Sequence, residues 1–379
     1  MLRTLLITLD FPPRTGGIAN YWANLGRHFD AGDFIVLAPE YDNSLEFDVN
    51  QKYLIYRKEL VAPQAWFWPK WLPMIFEAAK IIRRDKIQKI IVTHVLPAGT
   101  AAYLLKMILH VPYIVSLHGL DVALSQSSWR KRWLTRQILN SAENIIANSD
   151  FTKKMILNLN LCAENKIIVV FPCPSVVGTK IPDNIKTRLI ENYNLRDKKI
   201  ILTVGRLIER KGQDKVIQSM SQILEREPNA IYVIVGNGDY LKYLQEQIVA
   251  LKLEKNVFIF TDIADYELPV FYEMADVFAM PCRELENGDV EGFGIVYLEA
   301  NFYGKPVVAG NSGGAVDAVE NNVNGLVVDP LSLNEIGGAV IKLLSDKKYA
   351  IEMGERGRQR VLDKFNWGEQ AKKIMEILD

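Results

Sequence analysis

Residues 200–224 read IILTVGRLIERKGQDKVIQSMSQIL, and this stretch decides the fold class. Its first five residues form an apolar run rich in β-branched side chains, typical of a strand buried on both faces of a parallel sheet. After a loop, apolar residues return at helical spacing at Val216, Ile217, Met220, Ile223 and Leu224. A buried strand followed by a core-facing helix is one unit of a doubly wound α/β domain.

The same unit repeats along nearly the whole chain. Apolar runs predict a first set of strands at residues 5–9, 34–38, 89–93, 113–117, 144–147 and 167–171. A second set is predicted at residues 200–204, 231–235, 257–260, 277–280, 306–309 and 326–328. Two sets of strands alternating with helices predict two doubly wound, Rossmann-like α/β domains. Ligands of open parallel sheets bind beyond the carboxyl ends of the strands, so we expect a site in a cleft between two facing domains.

A boundary between the domains is predicted within residues 172–183. This segment lacks periodicity and contains Pro172, Pro174, Gly178 and Pro182. We therefore assign residues 1–180 to an N-terminal domain and residues 181–363 to a C-terminal domain.

Composition limits the classes of function. The chain has 379 residues, of which 49% are hydrophobic and 24% charged, as in soluble globular proteins. Its 45 basic residues balance 45 acidic ones, so net charge gives no indication of a nucleic-acid partner. Three scattered cysteines do not form a disulfide framework or a metal knuckle. The apolar run at residues 5–9 is too short for a secretory signal, which predicts a cytoplasmic protein whose membrane contact, if any, is peripheral.

Charge is nevertheless unevenly distributed. Residues 1–180 hold 21 basic and 14 acidic residues, a balance of +7, and residues 181–379 hold 24 and 31, a balance of −7. The basic half contains WFWPKWL at residues 66–72 and WRKRW at residues 129–133. Such aromatic and basic stretches suit an anionic membrane, here the inner face of the cell membrane. The alternative is that the tryptophans pack inward and leave a solvated basic rim.

Residues 290–300, VEGFGIVYLEA, carry the strongest chemical signal. Two glycines lead into an apolar helix, whose first N–H groups suit a phosphate. Gly292 and Gly294 allow a ligand to approach the backbone closely. Glu291 before the helix and Glu299 within it could hold hydroxyls on either side of a diphosphate, as in a sugar nucleotide. The alternative is a helix start favoured by an acidic residue.

Other loops also follow predicted strands. Arg206 and Lys211 would neutralise a diphosphate leaving group there, or would be solvated surface charges. The glycine loop before Ile18 follows strand 5–9 and suits phosphate. His118 follows strand 113–117, although a lone histidine is more often structural. The chain has no Asp-x-Asp triplet, and we predict no metal site.

These motifs together resemble glycosyltransferase family 4, which comprises retaining enzymes of the GT-B fold, over essentially the whole chain. They are DFPPRTGGI at 10–18, GRL at 205–207, RKGQD at 210–214, the two glutamates of 291–299, GKPVVAG at 304–310, SGG at 312–314 and NGLVV at 324–328. Within the family, the likeness is greatest to the GDP-mannose-dependent phosphatidylinositol mannoside mannosyltransferases. One departure is Leu120, which stands where that subgroup is expected to have a second histidine. This departure bears on the identity of the acceptor more than on that of the donor.

The resemblance implies specific residue roles. The implied catalytic residues are His118, Arg206, Lys211 and Glu291. The implied nucleotide-sugar-binding residues are Gly17, Arg206, Lys211, Ile263, Glu291, Phe293, Gly294, Ile295 and Glu299. In this set Arg206 and Lys211 hold the diphosphate, Glu299 the ribose, Glu291 the transferred sugar, and Ile263 the base. The resemblance also implies that a last helix, within residues 364–379, crosses back onto the N-terminal, acceptor-side domain.

The resemblance therefore implies retaining transfer of a hexose, with mannose from GDP-mannose favoured, to a lipid-linked or polysaccharide hydroxyl acceptor. No metal or other cofactor is expected. The alternatives are a UDP- or ADP-sugar donor on the same fold, a sugar-nucleotide epimerase, and a non-catalytic sugar-binding module. The phosphate-type loops and the lack of a secretion signal argue against the last.

Overall fold

Parallel strands organise the computed structural model, which describes residues 2–14, 16–63, 68–175, 183–193, 195–264 and 266–378. The chain divides into two compact units. Unit 1 comprises Met1–Pro172 and Trp367–Asp379, and unit 2 comprises Cys173–Asn366.

The sheet of unit 1 is parallel throughout its described strands. These strands are β1 Thr4–Ile7, β2 Phe34–Ala38, β3 Leu54–Arg57, β4 Lys89–Val92, β5 Tyr113–Leu117, β6 Ile145–Ala147 and β7 Ile167–Val169. They lie in the order β3-β2-β1-β4-β5-β6-β7, with Leu5 opposite Ile35 on one side and Ile90 on the other. Every residue of β1, β2, β4 and β5 is buried, which explains their continuous apolar runs.

Helices follow most strands of unit 1. They are α1 Gly17–Gly26, α2 Ser44–Asp48, α3 Leu72–Arg84, α4 Thr100–Leu109, α5 Leu120–Ser125, α6 Trp129–Ser141 and α7 Asp150–Asn158, with short helical turns at Val95–Gly99 and Glu164–Lys166.

Unit 2 has the same plan. Its described strands are β8 Lys199–Val204, β9 Ala230–Val235, β10 Val257–Phe260, β11 Val277–Met280, β12 Val307–Gly310 and β13 Gly325–Val328, in the parallel order β10-β9-β8-β11-β12-β13. Its helices are α8 Asp183–Asn192, α9 Gln213–Arg226, α10 Leu241–Ala250, α11 Leu268–Met274, α12 Ile295–Phe302, α13 Ala315–Ala318, α14 Leu333–Ser345 and α15 Lys347–Lys364, with a short 3₁₀ turn at Glu209–Lys211.

Each predicted apolar run overlaps an observed strand, but the sequence analysis missed β3. This strand lies at the edge of its sheet and, among the described strands, pairs only with β2. Its residues are half-buried or exposed, so its sequence LIYR lacks the continuous apolar character of a central strand.

The last helix, α16 Trp367–Glu376, belongs to unit 1. Ala371 and Ile374 on this helix, and Leu378 just beyond it, lie fully buried in a core that also contains Trp22. The Gln370 side chain accepts a hydrogen bond from the Phe171 backbone N–H at 3.0 Å. This apolar face therefore completes the core beneath α1.

Within the described residues, no helix has both the length and the apolar character needed to span a membrane.

Candidate active site

The strand order of unit 2 reverses at β8, since β9 lies on one side of it and β11 on the other. In doubly wound sheets, ligands bind beyond the carboxyl ends of the strands at such a point. The 3₁₀ turn Glu209–Lys211 follows β8, and Cys282 and Arg283 follow β11. The loop containing Glu291 leads into α12. Several predicted donor-site residues of this unit thus lie where the strand order favours ligand binding.

A buried ion cluster surrounds Glu291. Its carboxylate Oε2 lies 2.6 Å from Lys211 Nζ and 2.6 Å from a terminal guanidinium nitrogen of Arg210. The Arg210 Nε lies 3.2 Å from Asp289 Oδ1, so one guanidinium joins two acidic residues. Buried charges of this kind are stable only when they are paired and hydrogen-bonded.

The cluster fixes the charge state of Glu291. Burial alone would raise the pKa of this carboxyl, but the charges of Lys211 and Arg210 outweigh burial and lower its pKa to about 2. Glu291 is therefore a carboxylate at neutral pH, able to accept hydrogen bonds from hydroxyl groups.

Close backbone packing brings the two cations to Glu291. Gly212 ends the 3₁₀ turn with φ +75°, and a Cβ there would lie 2.3 Å from the Pro281 carbonyl oxygen. Only glycine combines this φ with such an approach. The Arg283 N–H donates to the Arg210 carbonyl at 2.9 Å, and its guanidinium forms two bonds to Asp214, at 2.8 and 3.0 Å. The turn is thus anchored to the end of β11.

The glycines at 313 and 314 also position Glu291. The Gly314 N–H donates to the Glu291 carbonyl at 2.7 Å. A Cβ on Gly313 would lie 2.4 Å from the Glu291 carbonyl oxygen, and one on Gly314 would lie 2.1 Å from that of Gly292. This loop therefore packs on the Glu291 loop.

The start of α12 is the predicted phosphate-binding element. Gly294 precedes the helix with φ +87°, and Ile295, half-buried, is its first residue. Phe293 is buried, and its ring lies 5.9 Å from that of Phe365. The first N–H groups of a helix have no acceptor within the helix and carry a partial positive charge. The loop therefore presents amide donors next to the ion cluster.

Glu299 lies on α12 and is buried. It accepts a hydrogen bond of 2.6 Å from the Tyr272 hydroxyl. Burial and the charge of this carboxylate raise the pKa of that hydroxyl far above its usual value. Ile263 is half-buried and follows β10.

Arg206 follows β8 with an exposed side chain, to which the described part of the chain offers no ion-pair partner. The structure thus joins Lys211 directly to Glu291 and leaves Arg206 outside that cluster.

The two predicted residues of unit 1 are linked through α1. Gly17 is the exposed first residue of this helix, and Tyr21, one turn later, packs edge-on against the His118 ring with centroids 5.3 Å apart. His118 follows β5, with Nε2 3.2 Å from Ser116 Oγ. Burial, and to a lesser extent the charge of His94, lower the pKa of His118 to about 3, so this imidazole is neutral near pH 7.

A second pair in unit 1 was missed by the sequence analysis. His94 Nε2 lies 3.4 Å from Asp10 Oδ2, and His94 Nδ1 lies 2.9 Å from Thr93 Oγ1. The hydrogen bond to His94 is the main cause that lowers the pKa of Asp10. These residues follow β1 and β4, between which the strand order of this unit reverses, so the rule applied to His118 could have found them. Arg210 and Asp289 were also missed, and Arg210 stands beside Lys211, to which the motif already gave a role.

The described tryptophans of the two basic stretches differ in exposure. Trp129 and Trp133 on α6 are 73% and 60% exposed, and Trp68 is 86% exposed, whereas Trp71 packs against the core of unit 1. Trp66 and Phe67 lie outside the described residues. For α6, the alternative of tryptophans packed inward is therefore wrong.

Among the described residues, no group of three or more histidine, cysteine or acidic side chains is arranged to hold a metal ion.

Comparison with known proteins places these features in a family. Residues 15–173 match the model of Glycosyltransferase Family 4, and residues 186–360 match that of Glycosyl transferases group 1. A GDP-mannose-dependent alpha-(1-6)-phosphatidylinositol monomannoside mannosyltransferase of Mycolicibacterium smegmatis is 34% identical, covering 99% of this chain and 97% of that protein. A GDP-mannose-dependent monoacylated alpha-(1-6)-phosphatidylinositol monomannoside mannosyltransferase of Corynebacterium glutamicum is 31% identical, with coverages of 99% and 97%.

The fold is also that of solved glycosyltransferases. The crystal structure of Anabaena HepE in complex with UDP matches with a TM-score of 0.84 at 20% identity, covering 100% of this chain and 99% of that one. Two Rossmann-like α/β domains built on parallel sheets, the GT-B class, are thus confirmed. The chain belongs to glycosyltransferase family 4. It is accordingly an enzyme that transfers a glycosyl group, as the sequence predicted.

Proposed function

We propose that this enzyme transfers mannose from GDP-mannose to a hydroxyl acceptor with retention of configuration at the anomeric carbon. The observation that carries the proposal is the buried cluster of Glu291, Lys211 and Arg210 beside the start of α12. Both bacterial relatives are GDP-mannose-dependent mannosyltransferases, which supports this choice of donor.

In this proposal unit 2 binds the donor. Lys211 and the exposed Arg206 bind the diphosphate together with the amides at the start of α12. Glu291 accepts hydrogen bonds from hydroxyls of the transferred sugar, Glu299 binds the ribose, and Ile263 lines the base. In unit 1, Gly17 is assigned to nucleotide-sugar binding and His118 to catalysis.

Charge development explains how these groups would accelerate transfer. The bond between the anomeric carbon and the diphosphate oxygen breaks, so positive charge grows on the sugar and negative charge on the leaving group. Cations and helix amides fixed beside the leaving oxygen stabilise this charge more than they stabilise the ground state. The acceptor oxygen forms its bond on the same face of the sugar, and its proton passes to the leaving phosphate. Neutral His118 can accept a hydrogen bond from a hydroxyl that does not react, and so orient a substrate without adding charge.

A donor panel tests the proposal. We expect GDP-mannose to raise the thermal unfolding midpoint more than GDP-glucose, UDP-glucose or ADP-glucose, because a ligand that binds the native state stabilises it by mass action. Hexose transfer that requires an added acceptor would separate a transferase from an epimerase. Stabilisation by a UDP or ADP sugar in place of GDP-mannose would contradict the donor assignment and leave the family unchanged.

We further propose that α6 binds anionic lipid peripherally at the inner face of the cell membrane, which would bring a lipid-linked acceptor to unit 1. Trp129 and Trp133 are exposed on this helix beside exposed Arg130, Lys131 and Arg132. Exposed aromatic residues and cations are what an interfacial helix needs.

Vesicle sedimentation tests this contact. We expect binding to vesicles with anionic lipid, weaker binding at high salt, and loss of binding in the double variant Trp129→Ser, Trp133→Ser. Leu362→Ser on α15 is the control, because it removes a similarly exposed apolar side chain from unit 2. Equal binding by both variants would remove α6 from the membrane contact.

A further inference from the structure

Arg210 has no role in the donor site proposed above, yet it is among the most buried charged residues of unit 2. Its side chain is 8% exposed and forms ion pairs with both Glu291 and Asp289. The interactions of this guanidinium must therefore compensate for the free-energy cost of its desolvation.

The two cations beside Glu291 differ in what they can do. The Arg210 guanidinium is a planar fork that joins Glu291 to Asp289, and its backbone carbonyl is held by the Arg283 N–H. The Lys211 ammonium is a point charge on a flexible stem, with three donors that can be shared between acceptors. Of the two, Lys211 is suited to reach a ligand and Arg210 to stay in place.

Charge balance shows why both are needed. The cluster holds two cations, Arg210 and Lys211, and two acidic residues, Glu291 and Asp289. A diphosphate brings further negative charge. If Lys211 alone neutralised Glu291, its engagement with a diphosphate would leave a buried carboxylate without a full counter-charge. A carboxylate in that position takes up a proton and can no longer accept hydrogen bonds at that oxygen.

We propose that Arg210 is a positioning residue of the donor site, whose guanidinium keeps Glu291 charged and oriented so that Lys211 can bind the diphosphate. This inference rests on the proposed function, because it assumes that the ligand of Lys211 is the diphosphate of a nucleotide sugar.

Proton-linked calorimetry of donor binding tests the proposal. The full chain is titrated near pH 7 with the nucleotide sugar that stabilises it most, in two buffers of different ionisation enthalpy. A nucleotide sugar is preferred to a free nucleoside diphosphate, whose terminal phosphate itself titrates near neutral pH. We expect no proton uptake by the wild type. Arg210→Gln should bind the nucleotide sugar more weakly, by about tenfold or more, and should take up as much as one proton on binding.

Two variants serve as controls. Arg210→Lys keeps a positive charge and should restore binding without proton uptake. Arg283→Gln makes the same chemical change at another buried arginine, which pairs with Asp214 instead of Glu291. It should show no proton uptake on binding, whatever its effect on stability.

The outcomes separate the two proposals. Weaker binding by Arg210→Gln without proton uptake, or equal proton uptake by Arg283→Gln, would overturn the role of Arg210 and leave the donor assignment standing. A wild type that binds no nucleotide sugar would instead overturn the proposed function. If Arg210→Gln does not fold, Lys211→Gln decides the question, because Arg210 alone should then keep Glu291 charged. Proton uptake by that variant would contradict the proposal.

Discussion

At the scale of single residues, the candidate site of unit 2 contains charged side chains whose ionised forms burial would otherwise disfavour. The Glu291 carboxylate is nearly excluded from solvent, and only its contacts of 2.6 Å with Arg210 and Lys211 keep it ionised. In unit 1 the reverse holds, because the half-buried His118 lacks a strong counter-charge and stays neutral. One site residue is thus held charged and another held neutral by their surroundings.

Replacement of Lys211 tests the charge argument. We expect Lys211→Ala to lower turnover by about ten- to thousandfold, the scale of losing one donor to a developing anion. The measurement is initial rate against donor concentration with a fixed acceptor. Lys242→Ala on α10, whose side chain is 89% exposed, should leave the rate unchanged. Near-normal turnover by Lys211→Ala would remove this residue from the mechanism.

The pKa of His118 leads to a pH prediction. Its folded-state pKa of about 3 lies below the usual 6.5, so the unfolded chain binds the proton more readily as pH falls below 6.5. The stability contributed by neutral His118 is therefore present above pH 6.5 and decreases as pH falls toward 3. Histidine-selective NMR should show one of the four imidazoles unchanged between about pH 8 and about pH 5. That signal should be absent in His118→Gln, and an ordinary midpoint near 6.5 would contradict the assignment.

At the scale of elements, glycine loops place the site more than the helices do. The loops after β8, β11 and β12 approach one another so closely that a Cβ at Gly212 or Gly314 would overlap a carbonyl oxygen. These contacts set where Glu291 lies relative to the 3₁₀ turn. Substitution there should consequently affect both stability and activity.

A matched pair of glycine substitutions tests this dependence. Gly314→Ala should destabilise the protein by about 1–3 kcal/mol and lower turnover, because the new methyl group displaces the Glu291 loop. Gly338→Ala lies within α14, where a Cβ meets no atom within 4 Å, and should stabilise by about 0.5–1 kcal/mol. Denaturant unfolding and turnover of both variants provide the measurement. A Gly314→Ala enzyme as active and stable as the wild type would show that the loop tolerates displacement.

At the scale of the whole molecule, unit 1 is built from both ends of the chain. Residues 1–172 form its sheet, and α16 supplies part of the core beneath α1. Tyr21 on α1 contacts both His118 and Trp367, with ring centroids 5.3 and 5.8 Å apart. The end of the chain therefore supports the helix that packs against His118.

Truncation of a single side chain in α16 should weaken unit 1 selectively. Ile374 is fully buried, and Ile374→Ala should cost about 2–5 kcal/mol. Hydrogen exchange should accelerate in β1 and β2 of unit 1 and stay unchanged in β8 and β9 of unit 2. Ile351 on α15 is 58% exposed, so Ile351→Ala should change neither the stability nor the hydrogen-exchange rates of either unit. Equal acceleration in both units would mean that they unfold as one.

The candidate site could be predicted from the sequence only in part. Lys211, Glu291 and Glu299 were found because a strand end, a glycine loop and a helix start are local patterns within a few residues. Their roles as ligands of a donor remain predictions. The sequence paired Lys211 with Arg206, whereas the structure pairs it with Arg210 around Glu291. The ion pair between Arg210 and Glu291 joins residues 81 positions apart, and no local pattern encodes it.

By itself, the sequence determined the alternation of strands and helices, and hence the two α/β domains, because buried strands and core-facing helices have distinct apolar periods. The family also followed from it, since each motif consists of residues that lie close together along the chain. Only the tertiary structure decided the edge strand β3, the pairing of Asp10 with His94 and the contact of Arg210 with Glu291. Each of these depends on which distant segments meet, and contact between segments that are far apart in sequence arises only when the sheet assembles.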